Sequence, residues 1–192
     1  MKNAIGICGT HGTGKSTVIT GLINRGATVS PVQLSREVQS KLGWRTLAGA
    51  LERLDTMWLL QDTILERMVV RDMTLTVPTF VERTPADVWA YTQVWLERHG
   101  VDWQNDSRSL EYLFRLGDHA RQHYAMIFIL PMRDAIPFVE EPNRADLESR
   151  VPVSRNIYHF IDSFKVPRHL IISLSPQERV DEVLQFMTEE DK

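Results

Sequence analysis

The chain holds one cysteine, Cys8, among its 192 residues. No disulfide can form within it. A chain of this length buries about 70% of its unfolded surface, so neither a disulfide nor a metal staple is needed. A lone thiol suits a reducing compartment, and a cytoplasmic location is the expectation. Long apolar runs are also missing. None reaches about 18 residues, which leaves no candidate for a membrane-spanning helix. The opening stretch MKNAIGICGTHG is too short and too glycine-rich for a signal peptide. Charge of one sign is lacking as well: 22 Lys and Arg against 25 Asp and Glu leave a net −3. That balance argues against a broad electrostatic nucleic-acid binder, although a local basic groove is compatible with it. Internal repeats, low-complexity tracts and long polar linkers are absent. So are the N-K-x-D and D-x-x-G strings that a switch GTPase needs.

What remains is a globular composition, 43% hydrophobic and 24% charged. Short apolar runs alternate with helical periodicity, the pattern of an α/β domain with a mostly parallel sheet. Ala4–Cys8 reads as a buried strand, and Lys15–Asn24 as a helix with Val18, Ile19, Leu22 and Ile23 on one face. A second strand is expected within Thr28–Leu34, irregular or at an edge because of Pro31. Helical pattern runs from near Ser35 to about Met73, with a break around Gly43 to Gly49. Thr79–Glu82 is the third strand, and Thr84-Pro85-Ala86-Asp87 opens a helix with an N-cap, proline at N1 and an acid at N3. A helix over Ser107–Gln122 and a strand over Met126–Leu130 follow. Met132–Val153, with Pro137, Pro142 and Pro152, reads as a mobile excursion. Leu170–Leu174 is expected to be the last strand. Ser175-Pro176-Gln177-Glu178 is a capping box before a helix that buries Val180, Val183, Leu184 and Met187. Residues 1–192 thus form one domain.

Gly9-Thr10-His11-Gly12-Thr13-Gly14-Lys15-Ser16 fits G-x-x-x-x-G-K-S/T at every fixed position, with a strand before it and an amphipathic helix after it. Such a loop turns its backbone N–H groups inward around phosphate oxygens, and the helix N-terminus adds partial positive charge. Lys15 is expected on the β- and γ-phosphates, Ser16 on Mg²⁺, and Thr17 as a further phosphate contact. Cys8, just before the loop, reads as a small core residue.

Among the apolar strands, Thr79–Glu82 alone ends in an acid, and Arg83 follows at once. A carboxylate at the carboxyl end of a strand can hold Mg²⁺ through water or accept a proton from an attacking hydroxyl. The adjacent guanidinium offers a bidentate grip on phosphate or acceptor. In open α/β sheets this end of the strands is where ligands sit.

Glu82-Arg83 with Asp87-Val88-Trp89-Ala90-Tyr91-Thr92 resembles the acid-Arg…Ala-Tyr motif of thymidylate kinases and deoxyribonucleoside kinases. It is closer to the P-loop kinase-like family that includes the ribosylnicotinamide kinase domain and small phage proteins. Leu34-Ser35-Arg36-Glu37-Val38, Tyr124–Pro131 and Ser175–Met187 resemble further parts of that family, so the likeness spans most of the chain. The resemblance implies a three-layer α/β/α P-loop kinase fold with a five-stranded parallel sheet in the order 2-3-1-4-5 and a lid over about 132–153. It also implies ATP as phosphoryl donor and Mg²⁺ as its partner. One position departs from the pattern. Gln33 stands where relatives place a glutamate near the end of strand two, and a glutamine takes no proton. The base is then Glu82, or Glu37 if the register differs.

On the acceptor side, Leu54, Trp58, Gln61 and Leu65 share a helical stripe. Gln61 is its polar member, and in deoxyribonucleoside kinases a glutamine on the equivalent helix pairs with the base edge. Trp58 then stands one turn away as a stacking surface or as core. Arg36 and Arg83 complete the acceptor set. Arg67 and Arg71 read as solvated charges, or with Arg36 as a local groove. From the excursion, Arg144 and Arg150 are expected to reach the phosphates, among Arg133 and Arg155. His119 and His123, four apart, lack the partners of a zinc site. The expected activity is transfer of a γ-phosphoryl group to a nucleoside or nucleotide. A hydroxymethylpyrimidine within DNA is the alternative that phage members of the group imply. A regulatory ATP-binding module is the alternative outside the enzymes. A homodimer and a monomer both stay open.

Overall fold

The computed structural model describes residues 2–31, 34–44, 51–132 and 147–190, without the side chains at 35, 36, 147 and 190. In chain order the elements are β1 (Ala4–Cys8), α1 (Lys15–Asn24), α2 (Leu34–Lys41), α3 (Leu54–Met73), β2 (Thr79–Glu82) and α4 (Pro85–Arg98). They are followed by α5 (Ser107–His123), β3 (Tyr124–Ile129), α6 (Leu147–Phe164), β4 (Arg168–Leu170) and α7 (Pro176–Glu190).

All strand pairs are parallel and the sheet order is β2-β1-β3-β4. The expected five strands are four among the described residues. Val29 makes only an isolated parallel bridge to Phe80, where Ser30 donates to the Phe80 carbonyl at 2.8 Å and Phe80 to that of Thr28 at 2.9 Å. The segment stands beside β2, in the place that the expected order 2-3-1-4-5 gives to strand two. In this register the Pro31 nitrogen faces away from β2, the side on which an edge strand tolerates a proline. The last strand is also displaced from Leu170–Leu174 to Arg168–Leu170. Past Ile171, whose N–H still donates to the Ile129 carbonyl at 3.0 Å, Pro131 has no N–H to continue the ladder, and the N–H groups of Ile172 and Ser173 go to the Glu182 carboxylate at 3.0 and 2.9 Å.

Strand alternation divides the core in two. Ile5, Ile7, Phe80 and Phe128 face Val18 and Leu22 of α1 and Val180 and Val183 of α7. Ala4, Cys8, Val81, Ile127 and Ile129 face the larger layer of α3, α4, α5 and α6. The three-layer α/β/α class is therefore present. Ile23, expected on the inner face of α1, is instead 54% exposed. The two predicted caps form. Thr84 and Asp87 bond reciprocally at the start of α4, and Glu178 N donates to Ser175 Oγ at 3.2 Å while Ser175 N donates to Glu178 Oε2 at 3.1 Å. Pro85–Val94 is buried throughout, so α4 is the central helix of its layer. Residues Leu147–Val153 of the expected excursion are the first turns of α6, with Pro152 inside the helix.

Gly117 of α5 lies against Phe164 of α6 so closely that an added Cβ would sit 2.0 Å from the ring. Gly117→Ala is expected to destabilise by about 1–3 kcal/mol, since a buried ring must move aside. Urea unfolding measures it, and Phe164→Leu in the same chain should restore most of the loss.

Candidate active site

The loop Gly9–Ser16 leaves β1 and enters α1. Gly9, Gly12 and Gly14 have φ of 152°, 71° and 88°. A Cβ on Gly9 would meet the Leu130 carbonyl at 2.7 Å and Thr13 Oγ1 at 2.8 Å, so that position has no room for a side chain. Gly14 is the N-cap of α1 and supplies no side-chain cap, nor is there an acid in the first turn. The first N–H groups of the helix are thus left for an external anion. Lys15 Nζ folds back on the loop, donating to the carbonyls of Gly9 at 2.6 Å and Thr10 at 2.9 Å. Burial pulls its pKa down, with Asp87 and Glu82 acting in the opposite sense.

Three arms hold the loop in place. Asp87 is fully buried and takes hydrogen bonds from Gly9 N at 3.2 Å and from Thr84 N and Oγ1, both at 2.9 Å. Tyr91 Oη accepts from His11 N at 3.1 Å, while Arg150 Nε donates to His11 O at 3.1 Å, so one peptide segment is gripped from α4 and from α6. Burial pushes the Tyr91 phenol up to about 12, which keeps it neutral. Arg179, 3% exposed in α7, donates Nη1 to Thr13 O at 2.8 Å and Nε to Ser173 O at 3.1 Å.

The acid–arginine pair arrives from β2. The register sets Glu82 opposite Ile7, beside the start of the loop. Ser16 Oγ donates to Glu82 Oε1 at 3.5 Å, which joins the two predicted magnesium residues. Arg83 has φ 68°, a left-handed conformation that costs a non-glycine residue about 1–3 kcal/mol. Its guanidinium lies 5.0 Å over the Tyr91 ring, and its Nε is buried without a hydrogen-bond partner. A buried donor left open in this way is where an incoming oxygen acceptor gains most.

Other expected residues take different places. Trp58 and Gln61 are each 4% exposed in α3. Trp58 packs edge-on to Tyr112, with Arg108 4.5 Å over its face, so its ring surface already carries a cation. The Gln61 backbone carbonyl accepts from Tyr112 Oη at 2.7 Å. Arg67 is exposed as expected, but Arg71 is not solvated: it is 5% exposed and ion-paired with Asp72. A basic groove of Arg36, Arg67 and Arg71 therefore loses its third member. His119 pairs with Asp72 at 2.8 Å inside the core. Cys8 is fully buried, and burial raises its thiol pKa well above the ordinary range, in keeping with a core role. Gln33, Arg133 and Arg144, and the side chain of Arg36, lie outside the described residues.

The sequence marked Asp87 as a cap and Tyr91 as part of a motif, but not their reach to the loop. Arg179 was missed, and Arg71 was expected as a solvated or groove charge rather than a buried one. Their signal is a charged residue at an inward helical position, legible only once the helix faces are known.

Among the described residues no group of three or more His, Cys, Asp and Glu is placed to hold a metal, and no helix is long and apolar enough to cross a membrane.

Glu182 stabilises the segment that Arg179 touches. Burial alone would raise its pKa, but hydrogen bonds from Ser173, Ile172 and His169 lower it to about 2. A folded-state value below the unfolded one gives stability that is complete above about pH 4.5 and disappears as the pH falls toward 2. Glu182→Gln should therefore lower Tm at neutral pH, and the gap to the parent protein should close between pH 4.5 and 2 in thermal melts.

The sequence profile of a family described as an AAA domain matches residues 4–179. No curated protein matches the chain in sequence. Solved structures do match in shape. Deoxyadenosine kinase from M. mycoides with bound dATP superposes with a TM-score of 0.69 at 13% identity, over 96% of this chain and 99% of that one. Shikimate kinase from Acinetobacter baumannii in complex with shikimate gives 0.60 at 15% identity, over 99% and 95%. The NadR protein in complex with NR gives 0.64 at 13% identity, over 96% of this chain and 51% of that one.

Proposed function

The chain belongs to the AAA-domain family and has the fold of the P-loop kinases, and on that premise we propose that it is an ATP- and Mg²⁺-dependent phosphotransferase acting on a nucleoside or nucleotide. The observation that carries this reading is the pairing of Ser16 with Glu82 at 3.5 Å, with Arg83 beside them and the phosphate loop behind. The bound dATP of the deoxyadenosine kinase favours a nucleoside-type acceptor over other small molecules.

The donor set suits magnesium. A hydroxyl and a carboxylate are hard oxygen ligands, and Mg²⁺ bound to a nucleotide needs only one or two protein ligands besides phosphates and waters. When bound, the ion would neutralise charge on the transferring phosphoryl group. The chain's own residues do the rest. Gly9–Thr17 cradles the phosphates through backbone N–H groups, and Lys15 exchanges its loop carbonyls for phosphate oxygens. Glu82 accepts the proton of the attacking hydroxyl. Arg83 satisfies its open Nε–H on acceptor or phosphate oxygen. Arg150 holds the loop at His11, and Arg144 remains the second arginine proposed to serve the phosphates. Gln61 and Trp58, with Arg36, remain the proposed acceptor-side residues. Phosphoryl transfer relies mainly on such positioning and charge neutralisation.

ADP release with ATP and Mg²⁺ over a panel of nucleosides, nucleoside monophosphates, ribosylnicotinamide and DNA with and without hydroxymethylpyrimidines tests the reading. Stimulation by a small nucleoside-type acceptor is expected. Stimulation only by modified DNA would replace that acceptor, and a flat panel with tight ATP binding would leave a regulatory nucleotide-binding module. Glu82→Gln should reduce transfer by about 10²–10⁴-fold while ATP affinity, measured by calorimetry, changes little.

A further inference from the structure

Arg71 occupies an unusual position. It belongs to α3, outside the loop and outside the acid–arginine pair, yet its guanidinium is spent on the backbone of that pair. Nη1 donates to Glu82 O at 2.8 Å and Nη2 to Arg83 O at 3.4 Å. These two carbonyls flank Arg83 and belong to the peptide planes whose rotation defines its φ and ψ. The remaining contacts fix the fork itself: Nε donates to Asp72 Oδ1 at 2.7 Å and Nη2 to Tyr124 Oη at 2.8 Å. Asp72 Oδ2 is bonded in turn by His119 Nε2 of α5 at 2.8 Å. Asp72 has a fully buried side chain and Arg71 one that is 3% exposed, so the network is shielded from water. Buried ion pairs are often poor sources of net stability, and in some proteins they serve to fix one geometry.

We infer that Arg71 is a positioning residue: its planar fork clamps the two carbonyls around Arg83, holds that residue left-handed, and so aims Arg83 toward Tyr91 and Glu82 toward Ser16, with Asp72 and His119 fixing the clamp. What the clamp serves rests on the phosphotransferase reading above; the clamp itself rests on contacts independent of it. A lysine keeps the charge but offers no planar fork to span both carbonyls and the carboxylate.

The experiment compares the parent protein with Arg71→Lys, Arg71→Ala and the milder His119→Gln. The first readout is structural: a strong intraresidue amide-to-Hα NOE at Arg83, the signature of positive φ, expected in the parent and lost in Arg71→Lys. The second is kinetic, with the acceptor that the panel identifies. Arg71→Lys should lower kcat about a hundredfold, the effect of a small misplacement of reacting groups. The KM for ATP should stay within about twofold, since the loop contacts involve other residues. Methylguanidinium should restore part of kcat to Arg71→Ala and none to the parent. His119→Gln should show the same split more weakly, and it decides the matter if the Arg71 variants do not fold. Persistence of the Arg83 NOE in Arg71→Lys would overturn the clamp. So would a kcat loss that tracks Tm and ATP affinity with no rescue. A flat acceptor panel for the parent protein would sink the phosphotransferase reading alone, because the NOE still decides the clamp.

Discussion

Asp87 ties two turns together that are 78 residues apart in the chain. One oxygen takes the Gly9 N–H at the start of the phosphate loop, and the other takes the backbone and hydroxyl of Thr84 at the start of α4. The carboxylate is fully buried, so these bonds replace its hydration. Gly6 lets the turns meet: a Cβ there would lie 2.6 Å from Thr84 Cγ2. Parallel pairing of β1 with β2 brings the ends of the two strands side by side, and Asp87 locks them. The loop, Glu82 and Arg83 are therefore tied into one block.

The other arms act on that block from different layers. α6 reaches His11 through Arg150, α7 reaches Thr13 through Arg179, and α3 reaches Glu82 and Arg83 through Arg71. Three arginines thus spend donors on backbone carbonyls. A guanidinium suits this use, since it carries five N–H groups in one plane and never loses its charge. Arg83 keeps a buried Nε open and lays its guanidinium over the Tyr91 ring.

The departures from expectation share a physical cause. Beside β2 the expected second strand is a single bridge at Val29, and beyond Ile171 the ladder to β3 ends where Pro131 has no N–H to give and Ser173 N–H goes to the Glu182 carboxylate. Where a ladder ends is decided by single hydrogen bonds, which hydrophobic pattern does not resolve. Arg71 and His119 look like surface charges in the sequence, since their inward orientation depends on how α3 and α5 pack. Trp58 and Gln61 were legible as an inner stripe, but the cation over the indole ring comes from Arg108 of another helix.

By itself the sequence determined the phosphate loop, the alternation of strand and helix, the two capping boxes and the acid–arginine pair. Each is local: it depends on glycine's freedom at positive φ, side-chain periodicity, or hydrogen bonds between residues a few positions apart. Only the tertiary structure decided what those pieces touch. The reach of Asp87 and Tyr91 to the loop, the grip of Arg150 and Arg179, and the clamp of Arg71 on a left-handed Arg83 join residues far apart in the chain. Such contacts follow from strand register and helix packing, which fix distances that a one-dimensional pattern does not contain.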